Sequence, residues 1–294
     1  MPDSIKRRPR ALTKPHNRDP SAAPDEMTTF EKWALSILNR ERPVVWQWAP
    51  PGSSMSALRV AAGTVAVIGA PPGAGKTALA GQLLLDAMRT SGQENLRVLM
   101  ANVEMSPGAL LDRHLARLTG IDYGEIQSRA YDPATAPRNV AGIEELRAAV
   151  PRLAFLSPPF TLENLAESAS KTRADLIVVD YAQRFDHEKR SGDQRSQANR
   201  VMEACRRLAD DGRCVLVISA VNRASYGKDA TLAAFRESSE LEYGADSAWL
   251  LIRNGDSAAA TLRCVKNRHG RLEDVKVLFD GAKQQFDDYP AEAP

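Results

Sequence analysis

The residues best suited to chemistry are Gly69-Ala70-Pro71-Pro72-Gly73-Ala74-Gly75-Lys76-Thr77. Glycines let backbone N–H groups approach phosphate oxygens, and a helix N-terminus adds partial positive charge. Lys76 has the reach to meet β- and γ-phosphates, and the Thr77 hydroxyl suits Mg²⁺. The flanks fit: Thr64–Ile68 is an apolar run that reads as a buried strand, and Ala78–Leu85 has helical spacing. Pro71, Pro72, Gly73, Ala74, Gly75, Lys76, Thr77 and Ala78 are thus the expected nucleotide-binding residues. Ala70 stands where the generic loop begins with Gly, and its small side chain leaves the loop feasible.

Two acids follow at strand ends. Leu176-Ile177-Val178-Val179-Asp180 is an apolar strand closing on a carboxylate, which beside a phosphate loop would orient Mg²⁺ together with Thr77. Glu104 closes the segment that starts at Arg97; it is either a surface glutamate at a strand exit or the group that orients an attacking water. A GTPase would carry an Asn/Thr-Lys-x-Asp segment late in the chain; none is present, so ATP with Mg²⁺ is the expected ligand. Lys266-Asn267-Arg268-His269-Gly270 places two cations just past a strand, as a basic turn or as a reach toward another subunit's nucleotide.

The elements that must position these groups alternate between strand and helix, the pattern of a layered α/β sheet. Expected strands are 64–68, 97–102, 153–156, 176–180, 214–219, 247–252, 261–266 and 275–279. Expected helices are 27–42, 76–89, 109–118, 142–150, 161–170, 194–210 and a short one near 238–243. The later strands lack intervening helices, so antiparallel strands are expected at the C-terminal edge of a mostly parallel sheet. Residues 121–141 read as a surface loop with a short helix. The domain reading is a disordered basic tail over 1–26, a helix and Trp/Pro connector over 27–60, an ATPase domain over 61–289 and a tail over 290–294. Trp46 and Trp48 in the connector need a place to dock, on their own domain or on a neighbour.

A net charge of +2 says little about partners, but local charge says more. Residues 1–20 carry six Lys or Arg against two Asp, and such a tail is either solvated or grazes nucleic acid. Two charged loops, 184–196 and 222–237, leave the carboxyl ends of strands, where open α/β sheets bind ligands. Lys189, Arg190, Arg195, Arg223, Lys228 and Arg236 on them are the candidate DNA-binding residues. Three scattered cysteines give neither a disulfide framework nor zinc-ligand spacing. No apolar run is long enough to span a bilayer and no signal-peptide core is present, so a cytoplasmic location is expected.

Taken together, the motifs resemble the C-terminal motor domain of DnaB-type replicative helicases, within the RecA-like ATPases, from about Ala61 to Tyr289. The family's Glu-Met is matched by Glu104-Met105 with Arg113 behind it, and its Asp-Tyr-x-Gln by Asp180-Tyr181-Ala182-Gln183. Its Asn-Arg is matched by Asn222-Arg223, its Arg-Glu-Ser by Arg236-Glu237-Ser238, and the segment leading into the next strand by Tyr243-Gly244-Ala245-Asp246. Its Lys-x-Arg-x-Gly finger is matched by Lys266 to Gly270 and its closing Phe-Asp-x-Tyr by Phe286 to Tyr289.

The resemblance implies a RecA-like P-loop NTPase fold and a homo-oligomer, usually a hexameric ring, with ATP between subunits. Lys76, Thr77, Glu104 and Asp180 would act in cis, and Lys266 and Arg268 in trans. Loops facing the channel would grip single-stranded DNA in replication, and the helix at 27–42 would dock on a neighbour. No loader or primase partner is read from it. Two features depart from the family: Ala220 stands where a Gln contacts the γ-phosphate, and only about sixty residues precede the motor. They keep two alternatives open, a non-motor ATP-gated DNA-binding or helicase-regulating module and a recombinase-like ATPase.

Overall fold

The computed structural model describes residues 28–39, 44–90, 92–130, 132–185, 194–221, 244–253 and 257–290. The chain divides into two units, Met1–Pro43 and Val44–Pro294. The first contains α1 (Thr28–Leu38), on which Trp33, Leu35, Ile37 and Leu38 are exposed.

The second unit is built on a nine-stranded sheet. Its strands are β3 (Val65–Ala70), β4 (Val98–Asn102), β5 (Leu153–Phe155), β6 (Leu176–Asp180), β7 (Cys214–Ala220), β8 (Ser247–Arg253), β9 (Ala259–Asn267), β10 (Val275–Asp280) and β11 (Gln285–Asp288). They lie in the order β11-β10-β9-β8-β3-β7-β6-β4-β5. The six from β8 to β5 are parallel, and β9, β10 and β11 complete an antiparallel edge. Central strands covered on both faces should be apolar throughout, and β3, β4 and β6 are buried at every position.

Two apolar layers result. Ala66, Ile68 and Ala70 of β3 join the layer under α2 (Lys76–Arg89), α3 (Pro107–Thr119), α4 (Tyr123–Ser128) and α5 (Ala136–Ala149). Val65 and Val67 point the other way, into the layer under α6 (Leu162–Thr172) and α7 (Gln194–Asp210). Among the described residues no helix is long and apolar enough to cross a membrane.

The tryptophan connector docks within its own unit. β1 (Val45–Trp46) pairs antiparallel with β2 (Val60–Ala61), Trp46 packs against the core, and buried Trp48 donates its indole N–H to the Leu58 carbonyl at 2.9 Å. One expectation needs correction, and one strand was not expected. The helix expected from Gly142 starts at Ala136, because Pro133 and Pro137 stand in opening turns, where a missing N–H costs nothing, rather than in a loop. β11 was hidden by its polar residues, and its pairing with β10 across a turn with Gln284 at φ +56° is what makes it a strand. The short helix expected near 238–243 lies outside the described residues.

β11 is tied to α2 by one side chain. Buried Gln82 donates to the Phe286 carbonyl and accepts from the Phe286 N–H, both at 2.8 Å, so its amide imitates a further strand. Gln82→Ala strands both backbone groups and is expected to destabilise the fold by about 2–4 kcal/mol in urea unfolding. An unchanged unfolding midpoint would show that water takes over both bonds.

Candidate nucleotide site

The phosphate loop joins β3 to α2 at the carboxyl end of the sheet. Gly73 and Gly75 have φ of +78° and +97°, and Gly75 caps α2. A Cβ on Gly75 would lie 3.0 Å from both Phe279 and Phe286, whose rings stack at 4.4 Å. The aromatic pair thus forms a floor under the loop, and only glycine fits between. Around Gly73 an added Cβ meets nothing within 4 Å, which leaves the cradle open above that floor. Pro72 is exposed, Pro71, Lys76 and Thr77 are half-buried, and Ala74 and Ala78 are buried in the core. Arg253, at the end of β8, lies 4.8 Å over the Phe279 ring and donates to the Gly73 carbonyl at 3.2 Å.

β3, β7, β6 and β4 run parallel, so their last residues share one edge. The Asp180 Oδ2 there accepts from the Thr77 hydroxyl and from the Asn102 amide, each at 2.7 Å. Asn102 is the register partner of Asp180, and its own oxygen accepts from the Glu104 N–H at 2.9 Å and the Met105 N–H at 2.7 Å. One asparagine thus connects the acid at the loop to the turn that carries Glu104. Glu104 borders a cleft of about 300 Å³ with Met105, Phe155, Pro158 and Phe160. Its carboxylate lies 3.9 Å from Arg184, which donates to the Tyr181 hydroxyl at 3.0 Å. Arg113 lies 5.6 Å over the Tyr123 ring, away from any direct hydrogen bond to Glu104 or Asp180 among the described residues. Ala220 pairs with Ala70, so its methyl stands beside the first residue of the loop.

This donor set fits Mg²⁺ with a polyphosphate: a hydroxyl and a carboxylate in contact, beside an ammonium and a glycine cradle. Burial pushes the Asp180 carboxyl above its ordinary range, while the Thr77 hydroxyl and the Lys76 ammonium pull it down. A carboxyl raised on folding favours its protonated form, so that contribution is fully present below its ordinary pKa and declines as pH rises through the raised value. Asp180→Asn keeps an oxygen for Thr77 and Asn102 without the buried charge. The variant is expected to unfold at the same or higher temperature than wild type in metal-free buffer near pH 7, with the difference closing near pH 4. Its Mg²⁺-dependent ATP turnover should fall by at least about 10²-fold. A variant less stable at neutral pH would contradict the burial argument.

Lys266 and Arg268 stand elsewhere. Asn267 pairs with Ser247, which pairs with Ala66 near the start of β3. Arg268 is therefore at the amino end of β3, roughly 17 Å along the strand from the loop at 3.3–3.4 Å per residue. That span exceeds the reach of one arginine. A register shift leaves Val265 without a cross-strand partner, since Trp249 pairs with Cys264 and Ala248 with Lys266. Such bulges re-aim the side chains beyond them.

Of the candidate DNA-binding residues, Lys189, Arg190, Arg223, Lys228 and Arg236 lie outside the described residues, and of Arg195 only the backbone, in the first turn of α7, is described. The two segments that hold them begin beyond the carboxyl ends of β6 and β7, the edge that carries the phosphate loop. Sequence reasoning missed Asn102, Arg253 and Gln82. The usable signal for Asn102 was an amide at the end of the strand next to the one that ends in Asp180.

Fold and loop define a RecA-like P-loop fold. More narrowly, the chain belongs to the DnaB-like helicase C terminal domain family, which it matches over residues 59–288. A probable plasmid replicative DNA helicase of Chlamydia trachomatis is 26% identical over 238 residues, 77% of this chain and 51% of that protein. The replicative DNA helicase DnaB of Treponema pallidum is 25% identical over 239 residues, 75% of this chain and 50% of that one. The chain thus spans about half the length of the curated relatives it matches. Among solved structures, one ATPase domain superposes with a TM-score of 0.77 at 16% identity, covering 92% of this chain and all of that one. A DnaB-like replicative helicase studied with primase gives 0.75 at 16% identity, covering 92% and 68%. At that identity the two structures speak for the fold.

Proposed function

We propose that the protein is the ATP-hydrolysing motor of a DnaB-type helicase, with Mg·ATP held between copies of the chain and single-stranded DNA gripped by the two charged loops. The observation that carries this reading is the separation within one chain. Thr77, Asp180, Asn102 and Glu104 converge at the carboxyl edge of the parallel strands, whereas Lys266 and Arg268, at the end of β9, sit at the opposite edge of the sheet. A site that needs both halves takes them from two copies joined head to tail, which closes into a ring where the rotation allows. α1 belongs to the same reading as a helix that docks on a neighbour, in line with its exposed Leu35, Ile37 and Leu38. A cytoplasmic location is part of the same reading.

The residues divide the labour as follows. The loop N–H groups and Lys76 bind the β- and γ-phosphates and offset their charge. Thr77 and Asp180 hold Mg²⁺, which when bound draws charge from the phosphate oxygens. Glu104, fixed at its backbone by Asn102, orients a water in line with the γ-phosphate. Arg268 of a second copy meets the charge that spreads over the γ-phosphate oxygens as the bond breaks, and Lys266 flanks it.

A second reading, a non-motor ATP-gated module, is favoured by one observation: at the position beside the loop, the methyl side chain of Ala220 carries no polar group that could link hydrolysis to the DNA loops. ATP turnover with and without single-stranded DNA, run beside a strand-displacement assay, tests the two. The motor reading expects turnover stimulated by DNA together with displacement. Stimulated turnover without displacement would overturn the motor and leave the ATPase.

A further inference from the structure

Asp246 is a buried carboxylate at the foot of β8, in neither the phosphate loop nor the Mg²⁺ pair. Its Oδ2 accepts from the Val65 N–H at 2.8 Å and from Arg206 at 2.7 Å. Its Oδ1 accepts from the Arg268 guanidinium at 3.3 Å, and His269 Nε2 lies 3.9 Å from the same oxygen. Its backbone is held as well: the Asp246 N–H donates to the Val65 carbonyl and the Arg268 N–H to the Asp246 carbonyl, each at 2.8 Å. Arg206 continues the network to the Gly63 carbonyl at 2.6 Å and to Asp210 at 2.9 Å. Burial works to raise the Asp246 carboxyl, but the Val65 N–H and the Arg206 guanidinium outweigh it and hold the group below the ordinary carboxylate range. It is thus a charged anchor at neutral pH.

A strand foot can be pinned by backbone hydrogen bonds alone, and Asp246 already makes two of those to Val65 and Arg268. The carboxylate adds something different. It converts the fixed position of β3 into a fixed position for the guanidinium of Arg268, just past the Val265 bulge. An arginine reaching across an interface loses side-chain freedom when it engages, and an anchor on its own chain removes part of that freedom in advance.

We propose that Asp246 is the positioning residue for Arg268, holding it in the orientation in which it is presented to the nucleotide of an adjoining copy. The proposal rests on the reading of Arg268 as a group acting in trans. Asp246 acts through Arg268 and touches no substrate. The defect of an Asp246 variant should therefore appear in the neighbour's site, whereas the variant's own phosphate loop should remain competent.

Complementation between two inactive full-length proteins reads that difference. Asp246→Asn keeps an oxygen for the Val65 N–H and loses the charge that holds Arg268. Alone, it should bind Mg·ATP within about twofold of wild type and turn it over about 10²-fold more slowly, the scale of a misplaced catalytic group. Lys76→Ala has a defective loop and an intact Arg268. In a head-to-tail ring, random 1:1 mixing gives about one interface in four a sound loop and a sound arginine. Turnover should then rise well above that of either protein alone. Arg268→Ala mixed with Lys76→Ala is the control for the trans reading.

If the control recovers and Asp246→Asn with Lys76→Ala does not, Asp246 serves its own strand, and the proposal is overturned while the trans arginine stands. If the control also fails, the trans reading falls and takes the proposal with it. Wild-type turnover by Asp246→Asn alone overturns the proposal too. Should Asp246→Asn not fold, Asp246→Glu, which keeps the charge and moves it by one methylene, is read in the same way. Failure of both to fold would assign the carboxylate to the fold and overturn the proposal.

Discussion

Lys76→Ala is expected to weaken Mg·ATP binding by about 10²-fold, near 3 kcal/mol, the scale of removing a charge-assisted contact from a partly enclosed site. Turnover should fall below detection, while thermal stability changes little, because relief of the helix dipole offsets the lost attraction between the Lys76 ammonium and the Asp180 carboxylate. The last point separates a binding role from a structural one. Lys76 opens α2, and a positive charge in the first turn opposes the helix dipole. Alanine is also the better helix former. A lysine at a position where it harms its own helix is explained by an anion bound at that helix end. Titration of nucleotide by calorimetry, beside a melting curve, checks both parts. Unchanged affinity would show that the triphosphate does not lie on this loop.

Arg268→Ala is expected to do the reverse: to leave Mg·ATP affinity within about twofold of wild type and to lower turnover by about 10³-fold or more, the scale of a removed arginine finger. The loop, Thr77 and Asp180 are built by β3, α2 and β6 at the carboxyl edge of the sheet. Arg268 contacts Asp246 at the other end, so its removal cannot disturb the nucleotide cradle by direct contact. Single-turnover hydrolysis beside equilibrium binding separates the two quantities. Normal hydrolysis by Arg268→Ala would remove the arginine from the reaction. Equal losses in binding and hydrolysis would make it part of ground-state binding instead.

How much of this was legible in the residues follows from how local each feature is. The phosphate loop and the strand ending at Asp180 are contiguous in sequence, and their spacing carries their geometry. The parallel strands are apolar runs because both faces are covered, so the existence of the sheet was readable and its edges came out within a few residues. What stayed hidden depends on partners far apart in the chain. Asn102 matters only because β4 lies beside β6 in a register that brings it opposite Asp180. Gln82 matters because β11, a four-residue strand with three polar positions, lies more than two hundred positions later and folds back under the loop. Phe279 ends an expected strand and Phe286 opens the closing motif, but their role as the floor beneath Gly75 appears only once β10 and β11 are paired. Prolines at 133 and 137 imitate loop signals and in fact open helical turns. The resemblance supplied the pairing of Lys266 with Arg268 as a functional unit, and the sheet register then supplies a reason why that unit would serve another copy rather than its own.

The central claim, that one copy supplies the loop and another the arginine, is tested most directly by the ATP turnover of an equimolar mixture of Lys76→Ala and Arg268→Ala. The account predicts that the mixture, made from two proteins that each hydrolyse almost nothing, regains about a quarter of wild-type turnover, since random neighbours complete about one interface in four. A mixture as inert as its components, with both variants folded and assembled, would contradict it.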